Sequence, residues 1–130
     1  MPKKPDKAPA QKTIPAVKKG RIYITATFNN TLATVTDQEG NVLAWASSGT
    51  AGFSGARRAT PYAATKTVTQ LLEKLEKYET RELEVYLAGA GSGREAGLRA
   101  LKSSGIKLSL IADITPLPHN GVRPKKKRRI

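Results

Sequence analysis

LEVYLAGAGSGREAGLRALKSSGIKLSLIAD, residues 83–113, is the stretch that decides the fold. Leu83, Val85 and Leu87 alternate with Glu84 and Tyr86, the period of two that marks a strand. Gly89-Ala90-Gly91-Ser92-Gly93 then turns the chain into a helix from Arg94 to Ser104, which Gly105 ends. Ile106, Leu108, Leu110 and Ala112 form the next strand. Strand, helix and strand in succession predict a parallel pair joined by a right-handed crossover.

Upstream, Thr60-Pro61 opens another helix, with Thr60 as N-cap and Pro61 at the first helical position. Ala64, Val68, Leu71, Leu72, Leu75 and Tyr78 fall on one face of it. Further upstream, Ile22, Ile24, Ala26 and Phe28 alternate with Tyr23, Thr25 and Thr27, giving a first strand. Asn29-Asn30 predicts a two-residue hairpin turn into Thr31–Thr36, with Ile24 opposite Val35 and Ala26 opposite Ala33. Asp37 to Asn41 is a second turn, and Val42 to Ala46 a third strand. The order is βββ-α-β-α-β: an α/β fold with a mixed five-stranded sheet and two helices. Residues 21–115 form the single globular domain, 1–20 a basic disordered extension and 116–130 an extended basic tail.

Charge supports that division. The 130 residues carry 23 Lys+Arg against 10 Asp+Glu, a formal net charge of +13. Residues 1–20 hold six Lys and Asp6; residues 119–130 hold Arg123, Lys125, Lys126, Lys127, Arg128 and Arg129 and no acid. Residues 21–118 hold eleven basic and nine acidic side chains and are nearly neutral. The N-terminal Lys/Pro/Ala segment has almost nothing to bury, so ordering it alone is unfavourable. Pro116 and Pro118 keep the C-terminal segment out of helix. A sequence pI of about 10.3 is the footprint of a polyanion binder.

Several function classes are excluded or disfavoured. With no Cys there is no disulfide framework, thiol nucleophile or Cys-bearing zinc site. A single His leaves no multi-His metal site, and no group of acids matches a metal-dependent nuclease, so no metal, cofactor or catalytic residue is expected. No apolar leader or span of about 20 residues is present, so the expectation is a soluble, intracellular protein without a membrane partner. Glu73, Glu76, Glu79, Glu82 and Glu84 alternate with Lys74, Lys77 and Arg81 and read as a solvated charged face.

Two glycine-rich segments can carry chemistry. In Ser47–Ala64, Gly49, Gly52 and Gly55 allow backbone N–H groups near a phosphate, and Arg57 and Arg58 precede a helix N-terminus. Phe53, between glycines, is either a stacking face for a base or a buried anchor. In Gly91-Ser92-Gly93-Arg94, the helix N-terminus and Arg94 can capture a phosphate; the alternative is a tight turn with glycines for packing. Gly91-x-Gly93-x-x-Ala96 with Asp113 also fits a dinucleotide fingerprint. That fingerprint ordinarily opens a fold, and here basic tail follows Asp113, so a nucleotide-dependent enzyme is the lesser reading. A nuclear DNA-binding protein with an import tail is the other rival. His119 stands in the tail as an RNA contact or bystander, and Asn120-Gly121 is a candidate deamidation step at Asn120.

GRIYITATFNNTLATVTD (residues 20–37), GNVLAWASSGTAGFSGARRATPYAA (40–64), AGAGSGREAGLRAL (88–101) and DITPLPHNGVRPKKKRRI (113–130) resemble, in order and spacing, the bacterial small-subunit ribosomal protein eleven family. The family often has Arg-Lys where Arg57-Arg58 stands; both remain cationic. The resemblance implies a ribonuclease-H-like arrangement without a catalytic acid set. It implies a structural, non-catalytic protein of the small-subunit platform that bridges several rRNA helices in the cytoplasmic ribosome. Small-subunit proteins seven and eighteen would be neighbours, initiation factor three a partner, and the mRNA Shine–Dalgarno cleft nearby. The rRNA-facing residues so implied are the loops Gly52-Phe53-Ser54-Gly55 and Gly91-Ser92-Gly93, with Arg57, Arg58, Arg94, Arg123, Lys125, Lys126, Lys127, Arg128 and Arg129. Asn29, Asn30, His119 and Asn120 complete the expected rRNA-binding set.

Overall fold

The computed structural model describes residues 16–127. Five strands, β1 (Lys19–Ala26), β2 (Thr31–Thr36), β3 (Val42–Ser47), β4 (Glu82–Ala88) and β5 (Lys107–Asp113), lie in the order β3-β2-β1-β4-β5. β1, β4 and β5 run parallel, while β2 is antiparallel to both β1 and β3. Two helices, α1 (Pro61–Leu75) and α2 (Gly93–Ser103), supply the crossovers. The expected βββ-α-β-α-β mixed sheet is therefore present.

Alternation on β1 builds the core. Ile22 and Ile24 are buried and pack with Val35, Ala33, Val85 and Leu83 under Val68, Leu71 and Leu101 of the helices, and Ala26 is buried as well. The opposite face carries Tyr23 stacked on Tyr86, with ring centroids 5.2 Å apart. On that face Arg21 pairs with Glu84 at 3.3 Å, and Lys19 with Glu82 and Glu84 at 3.7 and 3.5 Å. Glu82 and Glu84 are thus cross-strand partners rather than simply solvated charges. Lys19 shifts a boundary as well. The expected disordered extension through residue 20 gives way to a strand beginning at Lys19, anchored by Val17 N donating to Tyr78 O at 2.9 Å.

Two local expectations are corrected. The β1–β2 connection is Thr27–Asn30, not a two-residue Asn29-Asn30 turn. The Thr27 hydroxyl accepts from Asn29 N at 3.2 Å and Asn30 N at 3.0 Å, and Thr27 N donates to Asn30 O at 2.8 Å. This places Ile24 opposite Ala33 and Ile22 opposite Val35, two residues from the expected register. A shift of two keeps every side chain on its own face, so the core is unchanged. Phe28 falls outside the strand and is 79% exposed. In β5 the register slips. Leu108 pairs with Leu83, Leu110 with Glu84 and Ile111 with Val85, so Ser109 is the extra residue of a bulge. Leu110 therefore crosses to the open face, and Ile106, Leu108, Leu110 and Ala112 do not share one side.

Candidate nucleic-acid interface

Strand directions gather the candidate segments. The C-terminal ends of β1, β3, β4 and β5 point the same way. The Thr27–Asn30 turn, the Ser48–Thr60 connection, the Gly89–Ser92 turn and the C-terminal tail therefore all leave the sheet at one end. Both helices also begin there. That end of an α/β sheet is where ligands generally bind.

The Ser48–Thr60 connection is more ordered than a glycine-rich loop implies. Gly55–Ala59 forms a short 3-10 helix, and Arg57 and Arg58 lie on it. Arg57 is exposed and Arg58 half-buried, with Arg58 Nε donating to Gly55 O at 3.4 Å. Thr60 caps α1 by accepting from Ala63 N at 3.2 Å, as its sequence predicts. Phe53 meets Tyr62 edge-on at 5.8 Å and is half-buried, intermediate between the two readings of it. Gly52, Ser54 and Gly55 are exposed beside it. Ser92 Oγ donates to Ala59 O at 2.6 Å, which joins the two glycine segments.

The Gly89–Ser92 turn is packed onto β1. Gly91 N donates to Ala26 O at 2.8 Å. A Cβ on Gly91 would overlap the Thr27 carbonyl, and one on Gly93 would overlap Thr31 Oγ1 and lie 2.9 Å from Ala64 Cβ. Gly91 and Gly93 are buried, whereas Ser92 between them is exposed. Close packing thus accounts for these glycines, and their buried backbone offers no cradle of the dinucleotide kind. Asn29 is exposed; Asn30 is half-buried and its Oδ1 accepts from Thr31 N at 2.8 Å.

Arg94 is not a free cation. Its Nη2 pairs with Asp113 Oδ2 at 2.9 Å, and its Nη1 donates to Gly89 O at 3.1 Å and Thr115 Oγ1 at 3.5 Å. Asp113 Oδ1 accepts from Thr115 N at 2.9 Å and Thr115 Oγ1 at 2.6 Å. The Arg94 guanidinium first, and then Thr115, hold the Asp113 carboxyl well below the usual carboxylate range. The sequence expectation for Arg94 did not include this pairing, although the Gly91-to-Asp113 spacing brings the two side chains to adjacent strand ends. Beyond it, His119, Asn120, Arg123, Lys125, Lys126 and Lys127 are exposed on a segment without regular structure, and Asn120 has φ 56°. Arg128, Arg129 and most of the N-terminal extension lie outside the described residues.

The other end mixes acids with bases, Lys74, Lys77, Lys102 and Lys107 among them. Asp37 and Glu39 sit in the β2–β3 turn, Glu73, Glu76 and Glu79 at the close of α1, and Glu82 and Glu84 at the start of β4. A groove of about 540 Å³ opens there over Leu72, Leu75 and Ile106, rimmed by Glu73, Glu76, Glu79 and Arg81. Three carboxylates against one guanidinium give a rim that disfavours a polyanion, so volume does not mark the nucleic-acid side. Among the described residues no group of His, Asp or Glu could hold a metal ion, and no helix is long and apolar enough to cross a membrane.

A single α/β unit with two glycine-rich turns, Arg57, Arg58 and a basic tail gathered at one end of its sheet is the class so defined, and comparison with known proteins narrows it. The family model described as ribosomal protein S11 matches residues 20–129. The small ribosomal subunit protein uS11 of Caldicellulosiruptor saccharolyticus is 49% identical over 114 residues, 88% of each chain. That of Shewanella violacea is 45% identical over 130 residues, the whole of both chains. The chain belongs to the ribosomal protein S11 family. It is accordingly a structural, non-enzymatic component of the small ribosomal subunit.

Proposed function

We propose that the chain binds small-subunit rRNA through the basic end of its sheet and its C-terminal tail, bridging several rRNA helices on the platform. The carrying observation is convergence: three connections and the tail leave the same end, while all the acids of residues 21–118 except Glu95 and Asp113 lie at the other end or on the strand starts near it. Arg57, Arg58, Arg123, Lys125, Lys126 and Lys127, with Arg128 and Arg129 from the sequence, neutralise phosphates where rRNA strands crowd together. Asn29, Asn30, Gly52, Phe53, Ser54, Gly55, Ser92, His119 and Asn120 line the approach and read RNA shape. Gly91 and Gly93 contribute by keeping the Ser92 turn close to β1.

The family resemblance extends this reading to the neighbours. Small-subunit proteins seven and eighteen flank the chain, initiation factor three touches it, and the cleft for the Shine–Dalgarno duplex lies beside it, in a cytoplasmic ribosome. Binding of transcribed small-subunit rRNA, measured over a range of salt concentrations, tests the core of the proposal. Replacing Arg57 and Arg58 with Ala should flatten the log K against log salt slope by about one for each phosphate no longer neutralised. Stability should stay within about 0.5 kcal/mol, as for most surface changes. An unchanged slope would remove Arg57 and Arg58 from the interface.

A further inference from the structure

We infer that Arg94 and Asp113 are positioning residues that aim the C-terminal tail, and that Arg94 is not itself a phosphate ligand. The inference rests on the tail being an rRNA-contacting segment.

Hydrogen bonding at the point of departure is unusually complete. Ile114 N donates to Leu87 O at 2.7 Å, carrying the β4–β5 contact one residue past the strand. Thr115 is then held by its hydroxyl and its amide. The hydroxyl donates to Asp113 Oδ1 at 2.6 Å, and accepts from Gly89 N at 3.1 Å and Arg94 Nη1 at 3.5 Å. One donor and two lone pairs are all that a threonine hydroxyl possesses. Asp113 divides its oxygens between Thr115 and Arg94, and Arg94 spans Asp113 and Gly89 O. The ends of β4 and β5 and the start of α2 are thereby tied to Thr115, the residue from which the tail departs, partly by charge-assisted bonds, which are stronger than neutral ones.

The tail can transmit what this node sets. Pro116 and Pro118 follow Thr115 at once, each with a fixed φ. A stretch of four residues at about 3.1 Å each reaches about 12 Å, so a 20° error at Thr115 displaces His119 by about 4 Å. That exceeds the tolerance of a hydrogen bond to phosphate. Fixing the departure before binding lowers the ordering cost of association without adding any contact.

The two roles for Arg94 give opposite signs for Asp113→Asn. If Arg94 were a phosphate ligand restrained by Asp113, the substitution would free it, remove a negative charge beside RNA and tighten binding. As a positioning node, the full-length Asp113→Asn protein should bind transcribed small-subunit rRNA about tenfold more weakly with its salt slope unchanged. Thr115→Val, which removes the hydroxyl at constant charge and shape, should behave alike, and thermal melts of both variants exclude unfolding as the cause. Arg94→Ala should also weaken binding without altering the slope. Tighter or unchanged binding by Asp113→Asn, normal binding by Thr115→Val, or a slope reduced by about one in Arg94→Ala would each overturn the inference. A chain lacking residues 116–130 separates the two levels. If that deletion leaves affinity and slope intact, the tail reading fails and the node with it; if it weakens binding while Asp113→Asn and Thr115→Val do not, the node alone fails.

Discussion

Gly91→Ala is a substitution whose outcome distinguishes packing from phosphate approach. Gly91 N is bonded to Ala26 O at 2.8 Å, so the turn is fastened to the last residue of β1. An added Cβ would overlap the Thr27 carbonyl oxygen and stand 2.8 Å from the Ala26 carbonyl carbon. Carbon atoms rest at about 3.5–4.0 Å, so the turn must withdraw by roughly 1 Å and stretch that hydrogen bond. Overpacking costs about 1–3 kcal/mol and the bond about 1 kcal/mol, giving roughly 2–4 kcal/mol together. For a domain of this size the melting temperature should fall by roughly 10–25 °C. Thermal and urea denaturation followed by far-UV circular dichroism measure it. Gly52→Ala is the control, because Gly52 has φ +100° and no atom within 4 Å of its added Cβ. Its cost is backbone strain alone, about 1–2 kcal/mol. If Gly91→Ala melts like the parent and only its rRNA affinity falls, close packing on β1 is not why glycine stands there.

Thr60→Ala removes the acceptor for Ala63 N and should cost about 1 kcal/mol, a few degrees in melting temperature; no change would mean the cap contributes nothing. The Asp113 carboxyl is held low in the folded protein, so its contribution to stability is present above the unfolded value of about 3.9 and is lost as pH falls below it. Urea midpoints should therefore decline below about pH 4, and less steeply in Asp113→Asn; equal steepness would argue against the pairing. Asn120 is exposed and followed by Gly121, whose nitrogen can attack the side-chain amide to form a succinimide. Peptide mass spectrometry with isomer separation of aged protein should find Asp or isoaspartate at Asn120, and unmodified Asn alone would exclude it.

Elements set by local chemistry were legible in the sequence. Alternation in Ile22–Ala26 and Leu83–Leu87, the Thr60-Pro61 start of α1 and the strand–helix–strand order around Gly93 all act within a few residues, and all appear as read. Of what escaped, one feature is local and the rest depends on partners distant in sequence. The length of the Thr27–Asn30 turn is decided by the Thr27 hydroxyl capturing two amides rather than by the asparagines that advertise a hairpin. The β5 bulge exists only against β4, and Lys19 becomes a strand residue because Glu82 and Glu84 lie across from it. The pairing of Arg94 with Asp113 had a signal. The same spacing that resembles a dinucleotide fingerprint puts an arginine after β4 and an acid at the end of adjacent, parallel β5, where the two side chains meet. The proposed rRNA-facing set rests on residue types, and the convergence of three connections and the tail emerges only from strand direction.

Arg57, Arg58 and the tail concentrate positive charge at one end of the sheet, while at the other Lys74, Lys77, Lys102 and Lys107 offset the acids, and this gives the protein a permanent electrical asymmetry. In the field of a folded RNA such a body experiences a torque as well as an attraction. On the rRNA-binding proposal it would turn before it touched, with the Arg57 and tail end forward. On that proposal, mutating Glu73, Glu76 and Glu79 to Gln would raise the overall attraction while weakening the orientation, so encounters would become faster but begin in more varied poses.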